Sequence, residues 1–142
     1  MLAAVDHLGF RALSRAQCLA LLATGSVGRV GLSVGALPAV LPVNYALAGE
    51  RLVFRTVPGT KLDAALARSV VAFEVDSYDP DGAWGWSVLV QGMAAEISSP
   101  AELAEARQLE LKAWAFPDGA QRYVAVPITF VSGRGFGALP GG

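Results

Sequence analysis

The sequence FRTVPGTKL, residues 54–62, joins the end of an apolar run to a turn and then to a helix-forming segment. Residues 51–54 are typical of a β-strand, a Pro-Gly turn follows, and a short helix is predicted over residues 61–67. Two cations and two threonines flank the turn: Arg55, Lys61, Thr56 and Thr60. This strand–turn–helix joint therefore places positive charge and hydroxyl groups beside a helix start.

The joint has the chemistry of a phosphate cradle. A helix start presents free N–H groups and a partial positive charge, and guanidinium, ammonium and hydroxyl groups add donors. The Walker loop is excluded, because it needs a longer glycine-rich stretch and a Lys followed by Ser or Thr, whereas Lys61 precedes Leu62. From the residues alone, an ordinary capped joint with a solvated Arg55 and Lys61 is an equally good interpretation.

Composition indicates one domain spanning residues 1–142, with a core at about 13–136. The chain is 54% hydrophobic and 16% charged, so part of its apolar surface is expected to be buried against another copy. The net charge of −1 argues against a nucleic-acid partner. No apolar run approaches the roughly 20 residues of a membrane span, and the N-terminus lacks the pattern of a signal peptide. A cytoplasmic protein is expected.

Several kinds of chemistry are disfavoured by single residues. The only cysteine, Cys18, cannot form an intramolecular disulfide and is expected to pack inside a helix. The only histidine, His7, makes a His-based metal cluster or a Ser-His-Asp triad improbable. The acidic loop that holds Asp79 and Asp81 lacks the later glycine and glutamate of an EF-hand. We expect no metal site.

Apolar periodicity and turn residues predict six strands, at residues 28–34, 39–47, 51–54, 70–76, 86–97 and 122–131. Helices are predicted after the capping box at residues 14–17, at residues 61–67, and from Pro100 to about Trp114. Short turns between consecutive strands make them antiparallel, and the prolines and glycines suggest kinks in a small barrel with peripheral helices. The segment from Gly133 onward is expected to be loose.

Two further stretches are candidate ligand contacts. Pro42 inside a strand predicts an irregular ladder, which would free Asn44 and Tyr45 for a ligand; an edge strand facing water is an equally good interpretation. Trp84 and Trp86 at the start of a long strand suit core packing, a dimer contact or a platform for a flat ring, and packing is the default.

Five motifs, taken in order after the helix-forming segment CLALL at 18–22, carry a resemblance to a known family. They are GRVG at 28–31, PVNY at 42–45, FRTVPGTK at 54–61, VAFEVD at 71–76 and GWSVLVQG at 85–92. In this order and spacing the chain resembles the pyridoxamine 5′-phosphate oxidase-like, FMN-binding split-barrel family over residues 13–136. The nearest branch is similar to pyridoxamine-oxidase-related proteins, close to the nitroimidazole-resistance flavoproteins.

The resemblance implies a mainly β fold, a six-stranded antiparallel split β-barrel, that forms a homodimer with FMN at two interface sites. It implies that the phosphate is bound by Arg55, Thr56, Thr60 and Lys61. The isoalloxazine would lie along the strand formed by Pro42, Val43, Asn44 and Tyr45. Trp86 and Ser87 would approach the flavin, from the second subunit in one arrangement.

The chain also departs from the family pattern. It has no histidine near the phosphate segment, and its C-terminal region after residue 131 has Arg134 as its only cation, so oxidation of pyridoxine phosphate is not implied. The expected function is an FMN-dependent oxidoreductase acting on a small molecule. The alternatives are a reductase that uses the deazaflavin F420, and a flavin-binding protein without turnover. The residues identify no general acid or base.

Overall fold

The computed structural model describes residues 9–56, 58–59, 61–66, 69–109, 111 and 122–140. This part of the chain forms nine strands and three helices. The strands are β1 (Arg11–Ala12), β2 (Val27–Val34), β3 (Leu37–Ala48), β4 (Arg51–Thr56), β5 (Val70–Tyr78), β6 (Gly85–Met93), β7 (Ala95–Glu96), β8 (Arg122–Pro127) and β9 (Phe130–Phe136). The helices are α1 (Arg15–Thr24), α2 (Lys61–Leu66) and α3 (Pro100–Arg107).

The strands form one antiparallel sheet in the order β1-β9-β6-β5-β2-β3-β4-β8-β7. β8 and β9 follow each other in the chain but lie near opposite ends of this order, so the sheet must curl. The curl also brings β6 against β8. The two strands are so close that a Cβ atom at Gly92 would lie 2.8 Å from the Pro127 carbonyl oxygen. The predicted mainly β, barrel-like class is therefore confirmed, with nine strands in place of six.

The C-terminal region differs most from the prediction. The single strand expected at residues 122–131 is two strands, since β8 ends at Pro127 and the next N–H, that of Ile128, donates to the Glu50 carbonyl at 2.9 Å. The segment expected to be loose is β9, which pairs with both β1 and β6. Its glycines allow other segments to pack directly against its backbone. A Cβ atom at Gly133, for example, would lie only 2.6 Å from the Cys18 sulfur, which is too close for any side chain. Packing against segments distant in the chain orders this strand, and the local propensities of its residues do not predict that packing.

Two other elements end at different residues from those predicted. The strand expected at residues 86–97 is broken at Ala94, whose N–H donates to the Ser69 carbonyl at 2.8 Å, and β7 follows as a separate strand on β8. The longest strand is therefore β3, with 12 residues. α3 ends at Arg107, before the predicted Trp114.

β3 changes its pairing partner along its length. It pairs with β2 from Leu37 to Asn44 and with β4 from Tyr45 to Ala48. Pro42 lies in the half that pairs with β2, where the missing N–H removes no bond to β4. The pairing with β2 runs one-to-one through Pro42, so the irregular ladder predicted beside it is wrong; β3 instead changes partner between Asn44 and Tyr45.

Two cores stabilise the fold. The main core fills the inside of the curled sheet, and we call the side of each strand that faces it the inner face. Helix α1 covers it with Cys18, Leu21 and Leu22, and begins with the capping box predicted at Ser14 and Gln17. A smaller core between the outer face of the sheet and α3 contains Val53, Ile97, Ala106, Leu111 and Ala125. No helix in the described ranges is long and apolar enough to cross a membrane.

Burial confirms the packing role predicted for Cys18. The side chain is 1% exposed, and burial raises the pKa of its thiol, although the charge of Arg15 opposes part of that shift. A thiol with a raised pKa forms little thiolate near neutral pH and is a poor nucleophile.

Candidate functional site

The strand–turn–helix joint is built around the carboxylate of Asp63. β4 ends at Thr56, the turn contains Gly59 with a φ of +83°, and α2 carries Asp63 in its first turn. One Asp63 oxygen accepts from the Thr56 hydroxyl at 3.2 Å, and the other accepts from the Gly59 N–H at 3.0 Å. The carboxylate therefore closes the turn between the strand and the helix.

Arg122 is a third donor to the same carboxylate. It lies across from Thr56 in the β4–β8 register, and its Nη1 is 3.2 Å from an Asp63 oxygen. Its Nε is 3.4 Å from Glu96 on β7. Arg122 was not predicted as a site residue, because it lies 66 positions after Thr56 and only strand pairing brings the two together.

Arg55 points away from Thr56, as neighbouring residues of a strand do. Its Nη1 donates to the Leu111 carbonyl at 2.5 Å, and its guanidinium lies 5.8 Å from the centre of the Tyr123 ring. Its Nε is buried and has no hydrogen-bond partner among the described residues. Arg55 thus links β4 and β8 to the segment after α3 and keeps one buried donor for a further acceptor.

Of the four predicted phosphate ligands, the structure locates two side chains. Thr56 is 3% exposed and lies on the inner face, whereas Arg55 lies on the outer face. Thr60 and the side chain of Lys61 lie outside the described residues.

The four residues predicted to follow the flavin ring divide between the two faces of β3. Val43 and Tyr45 are buried on the inner face, where the Tyr45 hydroxyl donates to the Leu22 carbonyl at 2.5 Å. Burial raises the pKa of Tyr45 to about 12. Pro42 is exposed and Asn44 is half-buried on the outer face. A ligand on the outer face can meet the side chains of Pro42 and Asn44, and the backbone of the strand.

Trp86 and Ser87 lie on a different part of the sheet. Three strands, β5, β2 and β3, separate their strand β6 from β4 in the sheet order. Trp86 is 4% exposed within the main core, and its Nε1 has no hydrogen-bond partner in the described chain. Ser87 lies on the outer face, across from Asp76 on β5 and Arg134 on β9.

The outer face also contains an ionic cluster that the sequence did not indicate. The Arg29 Nη1 is 3.3 Å from Glu74 and 3.0 Å from Asp76. Burial, and then the hydrogen bond and negative charge of Asp76, raise the pKa of Glu74 to about 7, while Arg29 opposes the shift. Next to the cluster is a cavity of 420 Å³, with walls that include Phe10, Phe136 and Arg134.

A row of mostly small or apolar residues crosses the same face. Strand register places Val40, Gly31, Ala72, Gln91 and Phe130 side by side on β3, β2, β5, β6 and β9. The row ends in large exposed side chains, since Val40 is 68% and Phe130 is 69% exposed. Exposed apolar patches of this kind mark interaction surfaces.

Within the described ranges, no group of three or more His, Cys, Asp or Glu residues could hold a metal ion. The expectation that the chain has no metal site stays a prediction.

Comparison with known proteins decides the family. Residues 14–135 match the family model described as pyridoxamine 5′-phosphate oxidase. The chain belongs to the pyridoxamine 5′-phosphate oxidase family. This finding confirms the resemblance that the five sequence motifs carry.

Relatives with similar sequences and structures are known. An uncharacterised protein of Mycobacterium tuberculosis is 39% identical over a 102-residue alignment, and the match covers 68% of this chain and 67% of that protein. The structure of a FAD binding protein from Mycobacterium smegmatis has a TM-score of 0.76 and 35% identity, covering 88% of this chain and 98% of that one. A candidate pyridoxamine 5′-phosphate oxidase from Corynebacterium glutamicum has a TM-score of 0.80 and 29% identity, covering 91% and 99%.

Proposed function

We propose that this protein is a flavin-dependent oxidoreductase that binds FMN and acts on a small molecule. The observation that carries the proposal is the donor set at the end of β4, in a chain of this family. The FAD binding protein from Mycobacterium smegmatis, at 35% identity, supports a flavin as the cofactor class. Bound flavin would supply the electron transfer, and the chain would bind and orient it.

In this proposal Arg55, Thr56, Thr60 and Lys61 hold the flavin phosphate. The buried Arg55 Nε fits this role, since it lacks a partner among the described residues and a phosphate oxygen would satisfy it. The ring lies along Pro42, Val43, Asn44 and Tyr45. There the change of pairing partner in β3 supports contacts with the backbone.

The proposed active form is a homodimer with the flavin at the interface. In this dimer Trp86 and Ser87 of a second copy approach the ring. The apolar row that ends in Val40 and Phe130 supports an interface on the outer face.

A reductase that uses F420 is the weaker candidate. The long polyglutamate tail of that cofactor needs a basic groove leading from the phosphate. Arg51, which such a groove could use, already has a protein partner, because it is 3.2 Å from Glu102.

The first test is the visible absorption spectrum of the freshly purified protein, with mass spectrometry of whatever heat releases. We expect a flavin spectrum and released FMN. Released FAD would keep the flavin class and change the cofactor. Failure of the protein to bind added FMN, FAD or F420 would remove the proposal, and absence of turnover with NADH or NADPH across electron acceptors would favour a flavin-binding protein without activity.

The second test replaces both Arg55 and Lys61 by Ala. Each lost charge-assisted contact to phosphate is worth about 1.5–3 kcal/mol, so FMN affinity should fall by about a hundredfold or more. The matched control is Arg107→Ala, which removes an exposed cation in the last turn of α3. Unchanged FMN affinity in the folded double variant would refute the phosphate assignment.

A further inference from the structure

Asp63 lies at the Thr56 side of the proposed phosphate cradle, where it contacts Thr56 and Gly59. Its side chain is 8% exposed, and its two oxygens accept from a hydroxyl, a backbone N–H and a guanidinium, those of Thr56, Gly59 and Arg122. Hydroxyls, turn N–H groups and arginines are also the donors that bind phosphate. The protein's own carboxylate thus fills donors that an incoming phosphate would use.

The carboxylate also changes the charge of the cradle. Arg122 faces two carboxylates, those of Asp63 and Glu96, so its positive charge is neutralised within the protein. A buried negative charge raises the free energy of a nearby phosphate dianion, because the protein interior screens charges less than water does. Riboflavin has the same ring and no phosphate, so this charge should not affect its binding in the same way.

We propose that Asp63 is a specificity-determining residue that acts as an internal anion and lowers the affinity of the site for the phosphate of its flavin. The proposal rests on the flavin site proposed above and adds to it the residue that limits phosphate binding. Asp63 does not touch the reacting ring in this proposal. It acts through Thr56, Gly59 and Arg122, whose donors it occupies.

The test is the ratio of the dissociation constants of riboflavin and FMN, measured by titration for the wild type and for Asp63→Asn. Asparagine is nearly the same size and keeps an acceptor for the Gly59 N–H, but it removes the negative charge. We expect the preference for FMN over riboflavin to rise by about tenfold, the size expected for one partly screened charge. A change in folding alone would alter both affinities and leave their ratio unchanged.

A second variant, Glu96→Gln, removes the other carboxylate from Arg122 without touching the turn. It should raise the same preference by about twofold to threefold, because Glu96 is 52% exposed and better screened. The matched control is Glu102→Gln, which removes an exposed carboxylate that pairs with Arg51. This control should leave the ratio at the wild-type value.

The outcomes separate the two proposals. If the wild type binds FMN and the folded Asp63→Asn variant shows an unchanged or lower preference for FMN, the role of Asp63 is refuted and the flavin site stands. If Asp63→Asn does not fold, the Glu96→Gln variant is used instead, and an unchanged or lower preference for FMN in that variant refutes the proposal. If the wild type binds neither riboflavin nor FMN, the flavin site itself is refuted, and the role of Asp63 with it.

Discussion

Glu74 shows how a single side chain can be governed by its neighbours across strands. It lies opposite Arg29 in the register of β2 and β5, and Asp76 follows two positions later on the same face. Its pKa is raised from an ordinary value of 4.5 to about 7, first because burial disfavours the carboxylate and then because Asp76 adds a hydrogen bond and a negative charge. Folding therefore favours the protonated form of Glu74.

A pH-dependent loss of stability follows. An acid with a pKa raised on folding binds its proton more tightly in the folded state, so its contribution to stability falls as pH rises from about 4.5 to about 7. We expect the urea midpoint of the wild type to decrease more between pH 5 and pH 8 than that of Glu74→Gln. Equal decreases in the two proteins would contradict the raised pKa.

The control for this measurement is Glu50→Gln. Glu50 is an exposed carboxylate that pairs with Arg15 at 3.0 Å, and it lies apart from the cluster of Arg29, Glu74 and Asp76. The substitution has the same chemistry as Glu74→Gln, and the control should keep the wild-type dependence on pH.

At the level of elements, the contact between β6 and β8 closes the barrel. Gly92 pairs regularly with Val71 on β5, so it is not the bulge that an isolated glycine in a strand can mark. Its importance lies in the close approach of β8, whose Pro127 carbonyl oxygen is 2.8 Å from the position of a Cβ atom. Backbone cannot move aside as a flexible side chain can.

The substitution Gly92→Ala tests this closure. The added methyl group must push β6 away from β8, and overpacking of this kind typically costs about 1–3 kcal/mol of unfolding free energy. Chemical denaturation measures the loss. The matched control is Gly31→Ala, because a Cβ there has its nearest contact at 3.7 Å, an ordinary packing distance. A loss at Gly92 no larger than at Gly31 would show that β6 and β8 are not tightly packed at this point.

At the level of the whole molecule, the outer face is the surface proposed to bury a second copy. Its apolar row ends at Val40 and Phe130, which are too exposed for an isolated domain to use as core. Size-exclusion chromatography with light scattering should give a dimer for the wild type. The double variant Val40→Glu and Phe130→Glu should weaken that dimer by at least tenfold, because four charges would enter the interface.

The control for the dimer is Ala104→Glu, a new charge on the exposed side of α3. It should leave the dimer intact, since α3 covers the smaller core instead of the apolar row. A wild type that stays monomeric at micromolar concentrations, or a dimer that survives both glutamates, would refute the proposed interface.

The sequence by itself determined the features that depend on neighbouring residues. Alternating apolar residues and turns predicted β2, β4 and β5 closely, and the capping box predicted the start of α1, because these signals act over a few positions. The order of five motifs was sufficient for the family.

Only the tertiary structure decided what depends on residues distant in the chain. β9 is a glycine-rich strand that forms because β1, β6 and α1 pack around it, a condition that local propensity does not contain. Likewise, Arg122 reaches Asp63 only because β8 pairs with β4. Strand pairing brings residues that are 50 or more positions apart in the chain within a few ångströms of each other. No short-range signal in the sequence indicates which strands will pair.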